Sequence, residues 1–263
     1  MPRPTAPAVL ILAGLDPSGG AGLLADAEAV RAAGGRPLCV ATALTVQTRA
    51  RARSFQPCAP SFLLESARAL LEEEDVRAIK IGMLGTPQLA RAIGDLLGEF
   101  PALPAVLDPV VAASSGALLF KGTPGDARLA VMGLSVRALL TPNLPEACLL
   151  LGLPPPGPEA GAEAQEALAR ALVEAGAKAC VVKGGHASGD EAVDVLATLK
   201  DGAVTHARLA GPRLPGTARG TGCRFASALA TGLARGEDPL QAALAAKKLV
   251  AAYLREAGRG GPA

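Results

Sequence analysis

The run Thr217-Ala218-Arg219-Gly220-Thr221-Gly222-Cys223-Arg224 sets two glycines, a hydroxyl and a thiol at the mouth of a small-residue helical pattern, Phe225 to Arg235. Glycines let a backbone turn its N–H groups inward with no Cβ in the way. The first turn of a helix leaves those N–H groups unpaired and adds a partial positive charge. That combination suits a phosphate or a developing oxyanion. Cys223 stands at the same spot, where a thiol pKa is expected to fall from about 8.5 toward neutrality. A loop that grips an anion beside a group able to take a proton predicts phosphoryl transfer to an alcohol.

Other chemical residues follow apolar runs. Gly14-Leu15-Asp16-Pro17-Ser18-Gly19-Gly20-Ala21-Gly22 comes after the first run, and Gln47 ends the second. Gly82-Met83, Asp108-Pro109, Thr141-Pro142-Asn143-Leu144-Pro145-Glu146 and Lys183-Gly184-Gly185-His186 end later ones. The first loop is not a Walker-type phosphate loop, because no Gly-Lys-Ser/Thr follows. Gly20-Ala21-Gly22-Leu23-Leu24-Ala25 matches a loose dinucleotide fingerprint, but no acid lies between Glu28 and Glu65 to hold a ribose, which argues against a dehydrogenase. Asn143 and Glu146 fall on one face of a helix start. They suit either a hydrated Mg²⁺ or a helix cap. Lys183 suits phosphate oxygens as a point charge, or is an ordinary loop lysine. Asp108 is either a metal-site acid or a turn residue, and Asp26 alone reads as a solvated helix charge. His186 and His206 lack spaced partners for a metal site or a triad.

The elements needed to position these residues are legible. Strand-like runs cover 8–13, 38–46, 78–83, 105–107, 138–140, 179–182, 192–198 and 204–209. Helical patterns cover 22–33, 61–73, 86–98, 126–134, 145–151, 165–175, 222–235 and 239–257. Apolar strands alternating with helices predict an α/β fold, a mostly parallel sheet covered on both faces. The last two strands, split by Asp201-Gly202, predict an antiparallel edge hairpin. In such a sheet, ligands gather beyond the carboxyl ends of the strands, where the residues above repeatedly fall. The Pro-rich stretch 152–158 reads as a surface loop within a single domain spanning 1–263. Residues 1–7 and 258–263 are expected to be flexible ends.

Composition excludes several classes. Half the residues are hydrophobic and mean hydropathy is +0.33, enough for a large core. A net charge of +2, no Trp and one Tyr argue against a nucleic-acid surface. The first apolar run is too short for a membrane span and lacks the flanks of an export signal. The five cysteines form no CxxC pair, which fits a reducing cytosol. Cys39, Cys58, Cys148 and Cys180 lie in apolar runs and are expected in the core.

Taken together, Gly14 to Gly22, Thr42 to Thr48, Lys80-Ile81-Gly82-Met83-Leu84, Leu107 to Val110, Thr141 to Ala147, Lys183 to His186 and Gly220 to Cys223 resemble the hydroxymethylpyrimidine/phosphomethylpyrimidine kinases of the ribokinase-like superfamily. The match runs in order from about residue 8 to about residue 255. The resemblance implies a ribokinase-like three-layer sandwich. It also implies an ATP- and Mg²⁺-dependent enzyme of thiamine biosynthesis that phosphorylates 4-amino-5-hydroxymethyl-2-methylpyrimidine twice. A pyridoxal or pyridoxine kinase of the same superfamily, and a non-catalytic ligand-binding member, are the alternatives. By resemblance, Gly14, Asp26, Gln47, Met83 and Val110 line the pyrimidine pocket. Asp108, Asn143 and Glu146 face the metal and phosphates, with Asp108 and Glu146 holding Mg²⁺ through water. Lys183 reaches ATP phosphate. Gly220, Thr221, Gly222 and Cys223 form the anion hole, with Cys223 as base. The resemblance further implies a cytoplasmic homodimer.

Three positions depart from the family pattern: Arg219 where His is common, Leu15 where Thr is usual, and Val111 where Met often stands. None removes a reacting group. Arg219 is expected to hold the phosphate of the second acceptor. A glutamine amide can answer an exocyclic amine beside a ring nitrogen, which gives Gln47 a chemical reason to be present. Only the first acceptor, an alcohol, needs a base; a phosphate monoester is largely ionised at pH 7. Residues 111–122, small and Ser/Gly-rich, are expected to form a flap over the site.

Overall fold

The first apolar run becomes β1 (Ala8–Leu15). Its side chains alternate between two cores: Val9, Ile11 and Ala13 enter one, Leu10 and Leu12 the other. A strand buried on both faces needs a layer on each side. Helix α1 (Gly22–Ala32) follows, then β2 (Arg36–Gln47), β3 (Ala52–Pro57), α2 (Pro60–Glu73), β4 (Val76–Ile81), α3 (Pro87–Glu99) and β5 (Ala105–Leu107). Next come α4 (Pro124–Ser135), β6 (Leu139–Leu140), α5 (Leu144–Leu151), α6 (Ala162–Glu174) and β7 (Ala179–Val182). The chain closes with β8 (Glu191–Lys200), β9 (Ala203–Pro212), α7 (Thr221–Ala234) and α8 (Pro239–Arg259). The computed structural model describes residues 6–112, 118–155, 157, 160–185, 191–214 and 218–259.

The strands form one nine-stranded sheet in the order β3-β2-β1-β4-β5-β6-β7-β8-β9. Strands β2, β1, β4, β5, β6 and β7 run parallel. Strand β3 is antiparallel at one edge, and the β8–β9 hairpin is antiparallel at the other. Its turn residues Asp201 and Gly202 have φ of 51° and 79°, the mirror-image conformation that matches strand twist in a tight hairpin. Helices α1, α7 and α8 cover one face through Leu23, Val30, Phe225, Leu229 and Ala243. Helices α2 to α6 cover the other through Leu63, Ile93, Val131, Ala147 and Leu172.

The neighbours of β1 are β2 and β4, so the chain leaves β1 to one side and returns on the other. The loops that follow β1 and β4 therefore diverge, and a crevice opens between them at the carboxyl ends of the strands.

Several expectations need correction. Strand β3 was not foreseen: half of its sequence Ala-Arg-Ser-Phe-Gln-Pro is polar, because it is an edge strand with Arg53, Ser54 and Gln56 in solvent. Cys39 is exposed and Cys58 only half-buried, whereas Cys148 and Cys180 are buried as expected; all five thiols are free. Helix α8 continues to Arg259, past the point where a frayed tail was expected, and 260–263 lie outside the described residues. The middle of the expected flap, 113–117, and His186 also lie outside them. The flanks of that flap are tied down: Leu119 N–H donates to Val111 O at 2.8 Å, and Lys121 N–H to Gly85 O at 2.8 Å.

Candidate active site

The loop after β1 folds around one carboxylate. Asp16 accepts from the Ser18 N–H (2.9 Å), the Ser18 Oγ (2.7 Å), the Ala21 N–H (3.2 Å) and the Gln47 Nε2 (3.2 Å). Helix α1 then starts hard against the end of its own strand. Gly22 has φ of +59°, and a Cβ there would collide with the Gly14 carbonyl oxygen. Gly14 in turn packs against Met83: a Cβ on Gly14 would come 2.7 Å from the Met83 sulfur. This brings together Gly14, Gln47 and Met83 from the carboxyl ends of three strands, β1, β2 and β4.

Helix α7 begins differently from an ordinary helix. Its N-cap is Gly220 with φ of 73° and ψ of 15°, no side chain caps it, and its first turn holds no acid. A Cβ on Gly220 would strike the Gly20 carbonyl oxygen, so the two glycine loops touch. The N–H groups of the first turn have no intrahelical acceptor. A methyl on Gly222 would lie 3.0 Å from Lys183 Nζ and 3.7 Å from an Asp108 carboxylate oxygen. The uncapped end thus faces a lysine and an acid supplied by other strands.

Those two form an ion pair, Lys183 Nζ to Asp108 Oδ1 at 2.9 Å. Asp108 also accepts from Thr141 Oγ1 at 3.3 Å. Burial works against its charge, but Lys183 and Lys80 outweigh it and hold the carboxyl below the usual carboxylate range. Lys183 stays protonated: burial opposes the charge, and Asp108 and Glu146 prevail. Asn143 bridges to Lys183 as a short parallel continuation of the sheet beyond β6 and β7. It caps α5: Asn143 Oδ1 accepts from the Glu146 N–H at 2.8 Å, and Glu146 Oε2 accepts from the Asn143 N–H at 2.8 Å. Burial, with Asp108 as a like charge nearby, pushes Glu146 up to about 7 although Lys183 draws it down.

These groups surround a cavity of about 740 Å³. Gly14, Gln47, Met83, Val110, Asp108 and Glu146 open onto it, as do Arg219 and the Gly220–Cys223 loop. A second cavity of about 520 Å³ lies between β8–β9 and α7–α8, with walls that include Ala192, Ala210, Phe225, Leu244 and Ala251. The two share Asn143, Lys183, Ala218, Thr221 and Gly222. They meet at the uncapped start of α7.

Two sequence expectations change. Asp26 does not line the cavity and is not solvated. It is fully buried behind the cavity wall, where Lys80 Nζ reaches it at 2.7 Å and Ser227 Oγ donates to it at 2.8 Å. Cys223 is not acidified. It opens onto the same cavity as Gln47, but burial and the carboxylates of Asp26 and Asp108 push its thiol up to about 12, against the pull of Lys80 and a Gly22 N–H. At neutral pH it is a protonated thiol.

Two residues were missed. Asp16 organises the first loop, and Lys80 is a fully buried ammonium on β4. The signal for Lys80 was a lysine inside Ala78-Ile79-Lys80-Ile81, since a lysine in a buried strand requires a buried partner. For Asp16 it was Asp-Pro-Ser-Gly, a turn sequence whose acid accepts from the backbone ahead of it.

The sequence profile described as Phosphomethylpyrimidine kinase matches residues 16–262. The chain belongs to the phosphomethylpyrimidine kinase family. It is 35% identical to the hydroxymethylpyrimidine/phosphomethylpyrimidine kinase of Rhizobium meliloti, over 95% of this chain and 91% of that one. It is 38% identical to the thiamine biosynthesis bifunctional protein ThiED of Geobacter sulfurreducens, over 96% of this chain but only 50% of that protein's length. Among solved structures it is similar to the pyridoxal kinase from Staphylococcus aureus in complex with ADP. That match has a TM-score of 0.80 and 28% identity, and covers 94% of this chain and 87% of the other. The fold is the ribokinase-like three-layer arrangement expected from the sequence. Among the described residues no helix is long and apolar enough to cross a membrane.

Proposed function

We propose that this chain transfers the γ-phosphoryl group of ATP to the hydroxyl of 4-amino-5-hydroxymethyl-2-methylpyrimidine, and then a second one to the resulting monophosphate. One observation carries this reading: two cavities meet at an uncapped helix start flanked by Lys183 and Asp108. A transfer reaction needs donor and acceptor on either side of one anion-stabilising point.

The 740 Å³ cavity takes the acceptor. Gln47 Nε2 is turned to Asp16, which leaves Oε1 to accept from the exocyclic amine of the pyrimidine. Gly14, Met83 and Val110 flank the ring. The 520 Å³ cavity takes the nucleotide, with its phosphates toward Thr221 and Gly222; support comes from the related pyridoxal kinase, whose structure contains ADP. Lys183 neutralises charge on the moving phosphoryl group, and the N–H groups of Gly220 to Cys223 receive it.

Asp108 and Glu146 suit a divalent cation. They are two carboxylates on one cavity, and burial, with Asp108 as a like charge nearby, pushes Glu146 up to about 7. Asp108 and Glu146 would hold Mg²⁺ through water, and the cation would supply positive charge against the phosphates. Cys223 serves the first acceptor, whose hydroxyl must lose a proton: the thiol first gives its own proton to solvent, and the resulting thiolate then takes the proton of the hydroxyl as its oxygen bonds to phosphorus. Lys80 is the group in place to steady the thiolate when it forms. The single-domain organisation, a dimer and a cytoplasmic location belong to the same reading.

Product mass tests it. The purified chain, given ATP and Mg²⁺ with the pyrimidine alcohol or its monophosphate as separate acceptors, is expected to convert both. Cys223→Ala is expected to slow the first transfer by about 10²–10⁴-fold and the second far less. Absence of phosphorylated product from either acceptor contradicts the assignment, and equal losses in Cys223→Ala remove the thiol as base. Pyridoxal belongs in the same assay, because the Staphylococcus aureus neighbour is a pyridoxal kinase. Preferential phosphorylation of pyridoxal would replace the substrate named above.

A further inference from the structure

Three cations border the acceptor cavity among the described residues: Lys80, Lys183 and Arg219. Each has a carboxylate partner, and the three pairs differ in grip. Lys80 and Asp26 sit 2.7 Å apart with both side chains at 0% exposure. Lys183 and Asp108 are 2.9 Å apart, and the lysine is 15% exposed. Arg219 Nη2 and Asp16 Oδ2 are 3.4 Å apart, and the arginine is 27% exposed. Arg219 therefore has the longest ion pair and the most open side chain.

Its backbone is held firmly. Tyr253 Oη donates to the Arg219 carbonyl at 3.1 Å, and the Arg224 guanidinium lies 4.0 Å over the Tyr253 ring and pairs with Glu28 at 2.7 Å. The guanidinium reaches across the cavity rim to the Thr48 carbonyl at 2.9 Å. It passes close to Gly20, where a Cβ would stand 3.3 Å from Nη1. Arg219 is thus a held backbone carrying a partly exposed head, and among the described residues that head bonds only to Thr48 and Asp16.

The two acceptors make different electrostatic demands. The alcohol brings no charge. Its monophosphate brings about −1.5 to −2 at neutral pH into a cavity whose cations are already paired. That phosphate must lie between the ring at Gln47 and the N–H groups of Gly220 to Cys223. Arg219 adjoins both, since it pairs with the Asp16 that Gln47 contacts, and it precedes Gly220 in the chain.

We propose that Arg219 is the residue that selects the phosphorylated acceptor, leaving Asp16 to form a forked contact with the acceptor's own phosphate in the second transfer. This rests on the substrate reading above and extends it by naming the group that distinguishes the two steps. A guanidinium fork suits phosphate better than a point charge does.

The test is steady-state kinetics of wild type, Arg219→Gln and Arg219→Lys with each acceptor, alongside melting temperatures. In Arg219→Gln the ratio of kcat/KM for monophosphate to that for alcohol is expected to fall by about 10–100-fold, the size of one or two lost charged hydrogen bonds. Most of that fall is expected in the KM for the monophosphate. Arg219→Lys is expected to recover part of it. The alcohol rate of the same variant reports whether the cavity is still formed. An unchanged ratio in Arg219→Gln, with wild type active on both acceptors, overturns the inference alone. Wild type inactive on both overturns the substrate reading and this inference with it.

Discussion

Helices α5 and α7 both start on the acceptor cavity, and they finish their first turns in opposite ways. At α5, Asn143 and Glu146 satisfy each other's backbone N–H groups, and an acid sits in the first turn. At α7, a left-handed glycine stands at the cap, with no capping side chain and no acid. The first arrangement saturates a helix end and complements its dipole. The second leaves both donors and dipole for a ligand. A functional site is where the chain leaves a local rule unmet, and two adjacent helix starts show the rule kept and the rule broken. Burying Glu146 beside Asp108 makes the closed end a proton-sensitive carboxylate as well as a cap.

The comparison breaks most severely if α7 is closed. Gly222→Asp would bring a carboxylate to the helix start beside Lys183. Loss of anion stabilisation at that point is expected to lower kcat/KM for both transfers by at least about 10²–10³-fold. ADP release measures this, and a loss under tenfold would show that the phosphoryl group is held elsewhere.

A smaller effect sharpens the account of α5. The Glu146 carboxyl titrates near 7, and only its ionised form attracts a cation. Protons therefore compete with Mg²⁺ on the acid side. Half-saturating Mg²⁺ is expected to be about tenfold higher at pH 6 than at pH 8, following the ionised fraction. Glu146→Gln should lose that trend. A pH-independent Mg²⁺ requirement in the wild-type chain would remove Glu146 from the cation site.

Smallest is the cap itself. Asn143→Ala is expected to cost about 0.5–2 kcal/mol of stability. That is a drop of roughly 2–4 °C in Tm per kcal/mol for a chain of this size, readable by calorimetry. Asn143→Asp keeps the acceptor oxygen and should melt near the wild-type temperature. An Asn143→Ala Tm equal to wild type would mean that the capping box adds nothing.

The sheet and its helices were legible because each buried strand is a short apolar run and each helix keeps its own period. Runs 105–107 and 179–182 became β5 and β7 without change. Strand β3 was not legible, since an edge strand pairs through its backbone and needs little apolar sequence. The glycine loop at 220–223 was readable as a helix start, yet the ionisation of Cys223 was not. That depends first on burial of the thiol and then on Asp26 and Asp108, which come from distant points of the chain. Asp26 misled for the same reason: its partner Lys80 is 54 residues away. The wall of the second cavity was equally hidden, because β8–β9 meets α7–α8 only in the folded chain.

The most direct test of the central claim is a crystal structure with ADP, Mg²⁺, a planar fluorometallate and the pyrimidine alcohol. The fluorometallate stands in for the phosphoryl group in flight. The account predicts it at the junction of the two cavities, with the N–H groups of Gly222 and Cys223 and the Lys183 ammonium within hydrogen-bond distance and the pyrimidine amine on Gln47. A fluorometallate bound away from the start of α7, or a pyrimidine outside the Gln47 cavity, would contradict it.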